Sequence, residues 1–301
     1  MSAHRQLWTR RHVLAAGAGL AAAGGRPARA TVPTRTATLD WAILETLLSI
    51  GNVPVAATEL LQFRDVAVEP PVPASVADLG LRGLANFETL LLARPDIIFN
   101  SNFYAQSNDR LRLIAPVEEF TVFVPGRAPY GPVLEMTRAI GARLALAAQA
   151  EALIADTDAL FAKLRARLGT GDGRPVLPIN LGDARHFRTF GFDSIFGQAI
   201  EKLGLRNAWD QPTSYSAAAP IGIETLARYE DAWIVIIAPV PPEAVPVLER
   251  GAFWKALPAV RAGRVLMLPS ADPFGALPAC ARFARLLVDA LPYAARDNSG
   301  G

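Results

Sequence analysis

Ala147-Ala-Gln-Ala-Glu-Ala-Leu-Ile-Ala-Asp-Thr-Asp-Ala-Leu-Phe-Ala-Lys-Leu-Arg-Ala-Arg-Leu168 contains neither glycine nor proline, and Leu153, Ile154, Leu160, Phe161, Leu164 and Leu168 recur in it at helical spacing. The stretch predicts one helix of about six turns. Gly169-Thr-Gly-Asp-Gly173 ends it. That cluster lacks the Gly-Lys-Ser/Thr ending of a phosphate loop and reads as a flexible exit from the helix. On both sides of it, short apolar β-type runs alternate with longer helical stretches. This grammar predicts an α/β fold: two lobes with mostly parallel central sheets, residues 31–146 and 170–301, joined by one long helix, 147–169. Two lobes on one helix enclose a cleft, which is a favoured place for a small ligand.

In the first half, Trp41 to Ile50 has helical spacing and stops at Gly51, and Val53-Pro-Val-Ala-Ala57 reads as a strand. Asn86 caps a helix, Phe87 to Ala93, that Arg94-Pro95 ends. Asp96-Ile-Ile-Phe99 is a buried strand whose carboxyl end opens into Asn100-Ser-Asn-Phe103-Tyr104, where ligands of open α/β sheets bind. A helix from Asp109 to Ile114 and a strand from Phe120 to Val124 complete the sheet, and Leu134 to Leu144 is a helix leading out.

The second half begins with a strand, Val176 to Asn180, that turns through Gly182 to Arg185 and returns in Phe187 to Phe190. Ser194 caps a helix to Leu203. A short helix starts at Ile223, Trp233 to Ala238 and Val265 to Leu268 are strands, and Leu277 to Leu291 is the closing helix.

Ahead of both halves, Arg10 and Arg11 precede Val13 to Ala23, a run made only of Ala, Gly, Val and Leu. This is the pattern of a secretory signal, too short to span a bilayer, with a small-residue cleavage site at Ala28-Arg29-Ala30. Thr9-Arg10-Arg11-His12-Val13-Leu14 matches a twin-arginine export signal, and a basic Sec signal is the other reading. Either one predicts residues 1–30 as signal peptide and a periplasmic product; with no second long apolar run the product is expected to be soluble, and a monomer is expected. The segment carries five arginines and no acid, so the remainder holds 25 bases against 28 acids, a net charge of −3. That balance, with no basic tract, argues against nucleic acid as a partner.

Rare residues narrow the chemistry further. Cys280 is the single cysteine, so no intrachain disulfide forms, and Pro278-Ala-Cys-Ala-Arg-Phe283 reads as a helix that buries it. His186 is the one histidine after residue 30, so a zinc site or a histidine-based nucleophile set is hard to assemble. Ser194 in Gly-Phe-Asp-Ser-Ile is not the Gly-x-Ser-x-Gly elbow. No catalytic residue, metal ligand or permanent cofactor is expected. The rival is an exported α/β enzyme using acids such as Asp183 and Glu224 for proton transfer, although nothing pairs them in sequence.

Asp78-Leu-Gly-Leu-Arg82, Asn86-Phe-Glu-Thr-Leu-Leu91 and Arg94-Pro-Asp-Ile-Ile98 together resemble the periplasmic substrate-binding proteins of iron-siderophore, haem and cobalamin importers. Glu69-Pro-Pro-Val-Pro-Ala-Ser75, Asn207-Ala-Trp209 and Leu257-Pro-Ala-Val-Arg-Ala-Gly-Arg264 resemble the ferric-hydroxamate branch of that family. The resemblance implies a binding protein that passes an Fe(III)-siderophore chelate to the membrane permease of an ABC importer, with the iron coordinated by the siderophore. It places Arg82 on the chelate oxygens, a role that suits the fixed donor fork of a guanidinium. It places Trp41, Tyr104, Tyr215 and Phe274 on the organic skeleton, and Asp109 and Glu224 on the permease. Asn100, Ser216 and Asp272 stand where relatives carry tryptophan, which implies a more polar cleft. Haem or cobalamin on the same scaffold is the alternative cargo. The helical bridge implies modest lobe closure on binding.

Overall fold

The structure is a computed structural model that describes residues 34–213 and 221–293. The first half contains β1 (Thr36–Thr38), α1 (Trp41–Ser49), β2 (Ala56–Ala57), α2 (Leu60–Val66), β3 (Ala77–Asp78), α3 (Phe87–Ala93), β4 (Ile97–Ser101), α4 (Asn108–Leu111), β5 (Val117–Phe120) and α5 (Tyr130–Arg143). Then comes the long helix α6 (Ala147–Leu168). The second half contains β6 (Val176–Leu181), β7 (His186–Thr189), α7 (Ile195–Lys202), β8 (Ile221–Gly222), β9 (Trp233–Ile237), α8 (Val245–Arg250), α9 (Ala252–Ala256), α10 (Pro258–Arg261), β10 (Val265–Leu268) and α11 (Leu277–Ala290).

The strands form two five-stranded sheets, ordered β3-β2-β1-β4-β5 and β10-β9-β6-β7-β8. The first is parallel throughout; in the second, β10, β9 and β6 are parallel, and β7 pairs antiparallel with both β6 and β8. The mostly parallel α/β fold with a long helix between the sheets is as expected. Strand β9, Trp-Ile-Val-Ile-Ile, is buried along its whole length, as a parallel strand covered on both faces must be. Its alternation divides the core: Trp233, Val235 and Ile237 face the helices between the sheets, while Ile234 and Ile236 face the outer layer of α9 and α10.

Two strands differ from the sequence reading. The strand expected at Phe120–Val124 is β5, Val117–Phe120, because the register pairs Ile98 with Val117 and Ser101 with Phe120. Val53–Ala57 contracts to two residues, Ala56 and Ala57, which pair with β1 and β3. The helix ends follow the caps: the Asn86 side chain accepts from the Thr89 amide, and the Ser194 hydroxyl accepts from the Gly197 amide.

The seam between the sheets holds more than the single bridging helix expected. The closing helix α11 packs on α6, α7 and α1, and Phe283 of α11 stacks on Phe196 of α7 with ring centres 4.2 Å apart. One continuous cluster of buried side chains then runs from Phe99 of the first sheet through Ile154, Phe161, Phe196 and Phe283 to Val235 of the second. Cys280 lies inside this cluster, fully buried, as its sequence setting predicted. Among the described residues no helix is long and apolar enough to cross a membrane.

Candidate ligand-binding site

A cleft of about 320 Å³ opens where the carboxyl ends of the two sheets face each other. Trp41, Gln62 and Arg82 line it from the first sheet's side, and Asn180, Gly182, Arg188 and Pro239 from the second. The Ala271–Phe274 segment between β10 and α11 forms its floor. Parallel sheets leave this edge for loops, so a ligand here meets strand ends from both halves.

Arg82 is held by its own turn. Gly80 takes a positive φ of 71°, and the Asp78 carboxylate accepts from the Gly80 amide at 2.9 Å and from the Leu60 amide at 3.1 Å. Glu59 adopts a left-handed φ of 51°, a strained conformation for this residue, with its amide donating to the Gly80 carbonyl. The Glu59 carboxylate then accepts from the Arg82 amide at 3.1 Å and from the Arg82 Nε at 2.7 Å. The guanidinium lies 4.0 Å above the Trp41 ring. Braced on two sides, it keeps its terminal nitrogens free of any hydrogen bond among the described residues.

Trp41 is only 3% exposed; its indole N–H donates to the Thr58 carbonyl at 3.1 Å and its ring meets Phe63 edge-on. It is a core residue that serves as the platform for Arg82. Tyr104 follows β4 in a 3-10 turn, half-buried, within electrostatic reach of Asp40, Arg82 and Asp272. Burial, reinforced by the Asp40 charge, raises its hydroxyl pKa well above the tyrosine range, so it stays a proton donor. Phe274 sits in an aromatic knot with Phe103, Phe123 and Phe190, ring centres 5.8 to 6.4 Å away, drawn from both halves of the chain. The structure therefore brings Arg82, Trp41, Tyr104 and Phe274 together. Tyr215 and Ser216 lie outside the described residues.

Asn100 is not a cleft residue, contrary to expectation. Fully buried, it donates to the Tyr104 carbonyl at 3.0 Å and to Asn108 Oδ1 at 2.7 Å, so it fastens the turn that carries Tyr104. Asp109 projects from α4 with its side chain 98% exposed and pairs with Arg112, and Glu224 is exposed in a 3-10 turn. Asp183 accepts from the His186 ring at 2.8 Å and from nearby loop amides; the His186 contact is the main cause lowering its pKa. Among the described residues no three His, Cys, Asp or Glu side chains converge to hold a metal ion.

Beneath the cleft lie three buried acids. Asp40 caps α1 through the Ala42 and Ile43 amides, and it accepts from the Ser101 hydroxyl. Glu45 of α1 reaches across to α11, where its Oε2 accepts from the Ala276 and Ala279 amides at 2.9 and 3.3 Å. Asp272 accepts from the Phe274 amide at 3.0 Å while its Oδ2 has no hydrogen-bond partner among the described residues. Burial is the main cause that lifts the Asp272 carboxyl from 3.8 to about 6, with the Phe274 amide and Arg82 opposing it. The folded state therefore binds this proton more tightly than the unfolded chain. Its contribution to stability is complete below pH about 4 and is lost as pH rises through about 6. Asp272→Asn is expected to raise stability at pH about 7.5 by on the order of 2–3 kcal/mol, with no difference from wild type near pH 4. Urea midpoints at the two pH values measure this; an equal offset at both would show that Asp272 does not titrate in this way.

The residues that sequence reasoning did not identify are Arg188 on the cleft wall and the partners Glu59, Glu45, Asp40 and the rings of Phe123 and Phe190. Each of these partners meets a residue remote in sequence, and none stands in a motif.

A protein-family profile described as "Periplasmic binding protein" matches residues 37–271. The iron(3+)-hydroxamate-binding protein FhuD of Escherichia coli (strain K12) is 31% identical over 264 residues, covering 88% of this chain and 89% of the relative. Among solved structures, the Fe3+-Desferal-bound siderophore-binding protein FhuD from Vibrio cholerae superposes with a TM-score of 0.81 at 25% identity, covering 87% of this chain and all of that one. FeuA from Bacillus subtilis, solved with ferri-bacillibactin, shares the fold at a TM-score of 0.68 and 16% identity, over 87% of this chain and 93% of its own. With all but the first residue of the two sheets, the helix between them and both walls of the cleft inside the matched region, the chain belongs to the periplasmic binding protein family.

Proposed function

We propose that this chain is the extracytoplasmic binding component of an ABC importer, which captures a ferric siderophore, of hydroxamate type, and delivers it to the membrane permease. The observation that carries the reading is Arg82, braced by Glu59 and Trp41 at the cleft, in a chain related to an iron(3+)-hydroxamate-binding protein. A guanidinium fixed in this way presents two terminal nitrogens to adjacent chelate oxygens without losing rotamer freedom on binding. Tyr104 adds a hydroxyl donor, and the Phe274 knot offers ring faces to the organic skeleton. Iron is cargo in this reading, with its coordination sphere filled by the siderophore, so no permanent cofactor is needed.

In the same proposal residues 1–30 are a twin-arginine signal peptide and the product works in the periplasm as a monomer. Residues 31–146 and 170–301 act as the lobes on either side of the helix 147–169, and Asp109 and Glu224 meet the permease.

Tryptophan fluorescence of residues 31–301, titrated with ferric desferrioxamine and separately with haem, tests the reading. Saturable quenching by the ferric hydroxamate, with none by haem, is the expected result. Saturation by haem with no response to the hydroxamate would overturn it.

A further inference from the structure

We propose that Arg188 is a second ligand-gripping residue, and that the cleft therefore takes an anionic ferric chelate carrying a free carboxylate opposite the face held by Arg82. The inference rests on the reading of the cleft as a siderophore site and names the class of chelate.

Strand alternation places Arg188. In β7, Phe187 and Thr189 are buried, so His186 and Arg188 lie on the opposite face. The antiparallel register sets Arg188 directly across from Asn180 of β6, and paired residues project to the same side. Both line the cleft. Asn180 is anchored, its amide donating to the Ile237 carbonyl at 2.8 Å.

The two arginines of the cleft differ in charge balance. Arg82 has Glu59 as counter-ion and lies within electrostatic reach of Asp272. Arg188 is exposed on the other wall, and its side chain has no ion pair or hydrogen bond among the described residues. A chelate that turns only iron-bound oxygens toward Arg82 leaves the Arg188 fork facing open solvent. A ligand with an ionised carboxylate on its far side satisfies both, through charge-assisted bonds that are the stronger kind in a partly closed cleft.

Two probes decide the matter: ferric desferrioxamine with its terminal amine acetylated, which has no free carboxylate, and the same chelate with that amine succinylated, which carries one. Wild-type protein is expected to bind the succinylated chelate more tightly, by about tenfold. Arg188→Gln should weaken the succinylated chelate by about tenfold or more and change the acetylated one by less than about threefold, while Arg188→Lys, a point charge without the fork, falls between. Arg188 is exposed, so an unchanged melting temperature accompanies these effects. Equal weakening of both probes by Arg188→Gln, or weakening of neither, overturns the inference and leaves the siderophore reading intact. Failure of the wild-type protein to bind either probe overturns both.

Discussion

Arg82→Ala is expected to weaken the binding of ferric desferrioxamine by about a hundredfold, the value of one charge-assisted, two-pronged interaction in a partly desolvated cleft. The substitution removes the stacked guanidinium but not the turn: Glu59 still accepts from the residue 82 amide, and Asp78 still holds Leu60 and Gly80. The melting temperature should therefore stay within a few degrees of wild type. Arg82→Lys keeps the charge without the fork and should lose about tenfold. Calorimetric titration of the three proteins measures the series. Wild-type affinity in Arg82→Ala would remove this residue from the site and leave the bracing by Glu59 and Trp41 without a binding role.

A comparably large effect, on stability, is expected at Glu45. This side chain leaves α1, is wholly buried, and supplies the acceptor for the first amides of α11, over 200 residues further along the chain. Its carboxyl is raised well above the usual range, by burial first and by the neighbouring Asp272 second. Gly275 admits it: a Cβ there would come within 2.7 Å of both Glu45 carboxylate oxygens. Glu45→Ala leaves two amides without an acceptor beside a new void and should destabilise by about 3 kcal/mol, lowering the melting temperature by roughly 8 °C. Glu45→Gln keeps an acceptor oxygen and no longer buries an ionisable group, so its stability should lie within about 1 kcal/mol of wild type. Urea denaturation compares the pair, and equal midpoints would mean that the cap contributes nothing.

Local signals were strong wherever one residue's chemistry settled the backbone. The long helix was legible to its ends because nothing between Leu146 and Gly169 interrupts it, and α3 because Asn86 caps it and Arg94-Pro95 stops it. Strand β5 was placed several residues late because Glu118 and Glu119 hide its apolar character, and only pairing with β4 sets the register. Strand β1 is three residues of Thr-Ala-Thr, too short to show a period, yet it is the centre of its sheet.

The site divides in the same way. Tyr104 stood out at a strand end and Arg82 through the family resemblance, but the residue that braces Arg82 is Glu59, 23 positions earlier. Asn100 could be read as a polar cleft residue only while its partners Tyr104 and Asn108 were unknown. Arg188 looks, in sequence, like any charge on the wet face of a strand. Its meaning comes from the first sheet, which the fold brings opposite it.

The packing of α11 on α1, α6 and α7 has a kinetic consequence. A body whose halves are tied by a common interior is expected to have little hinge travel with which to gate its guest. Capture would then proceed near the rate of encounter, and the lifetime of the loaded carrier would be set by how slowly contacts such as those of Arg82 let go. In the proposed role, a permease that meets such a carrier is expected to find nearly the same outline full or empty. Discrimination would then fall to the rim of the cleft, where the guest itself is the feature that differs.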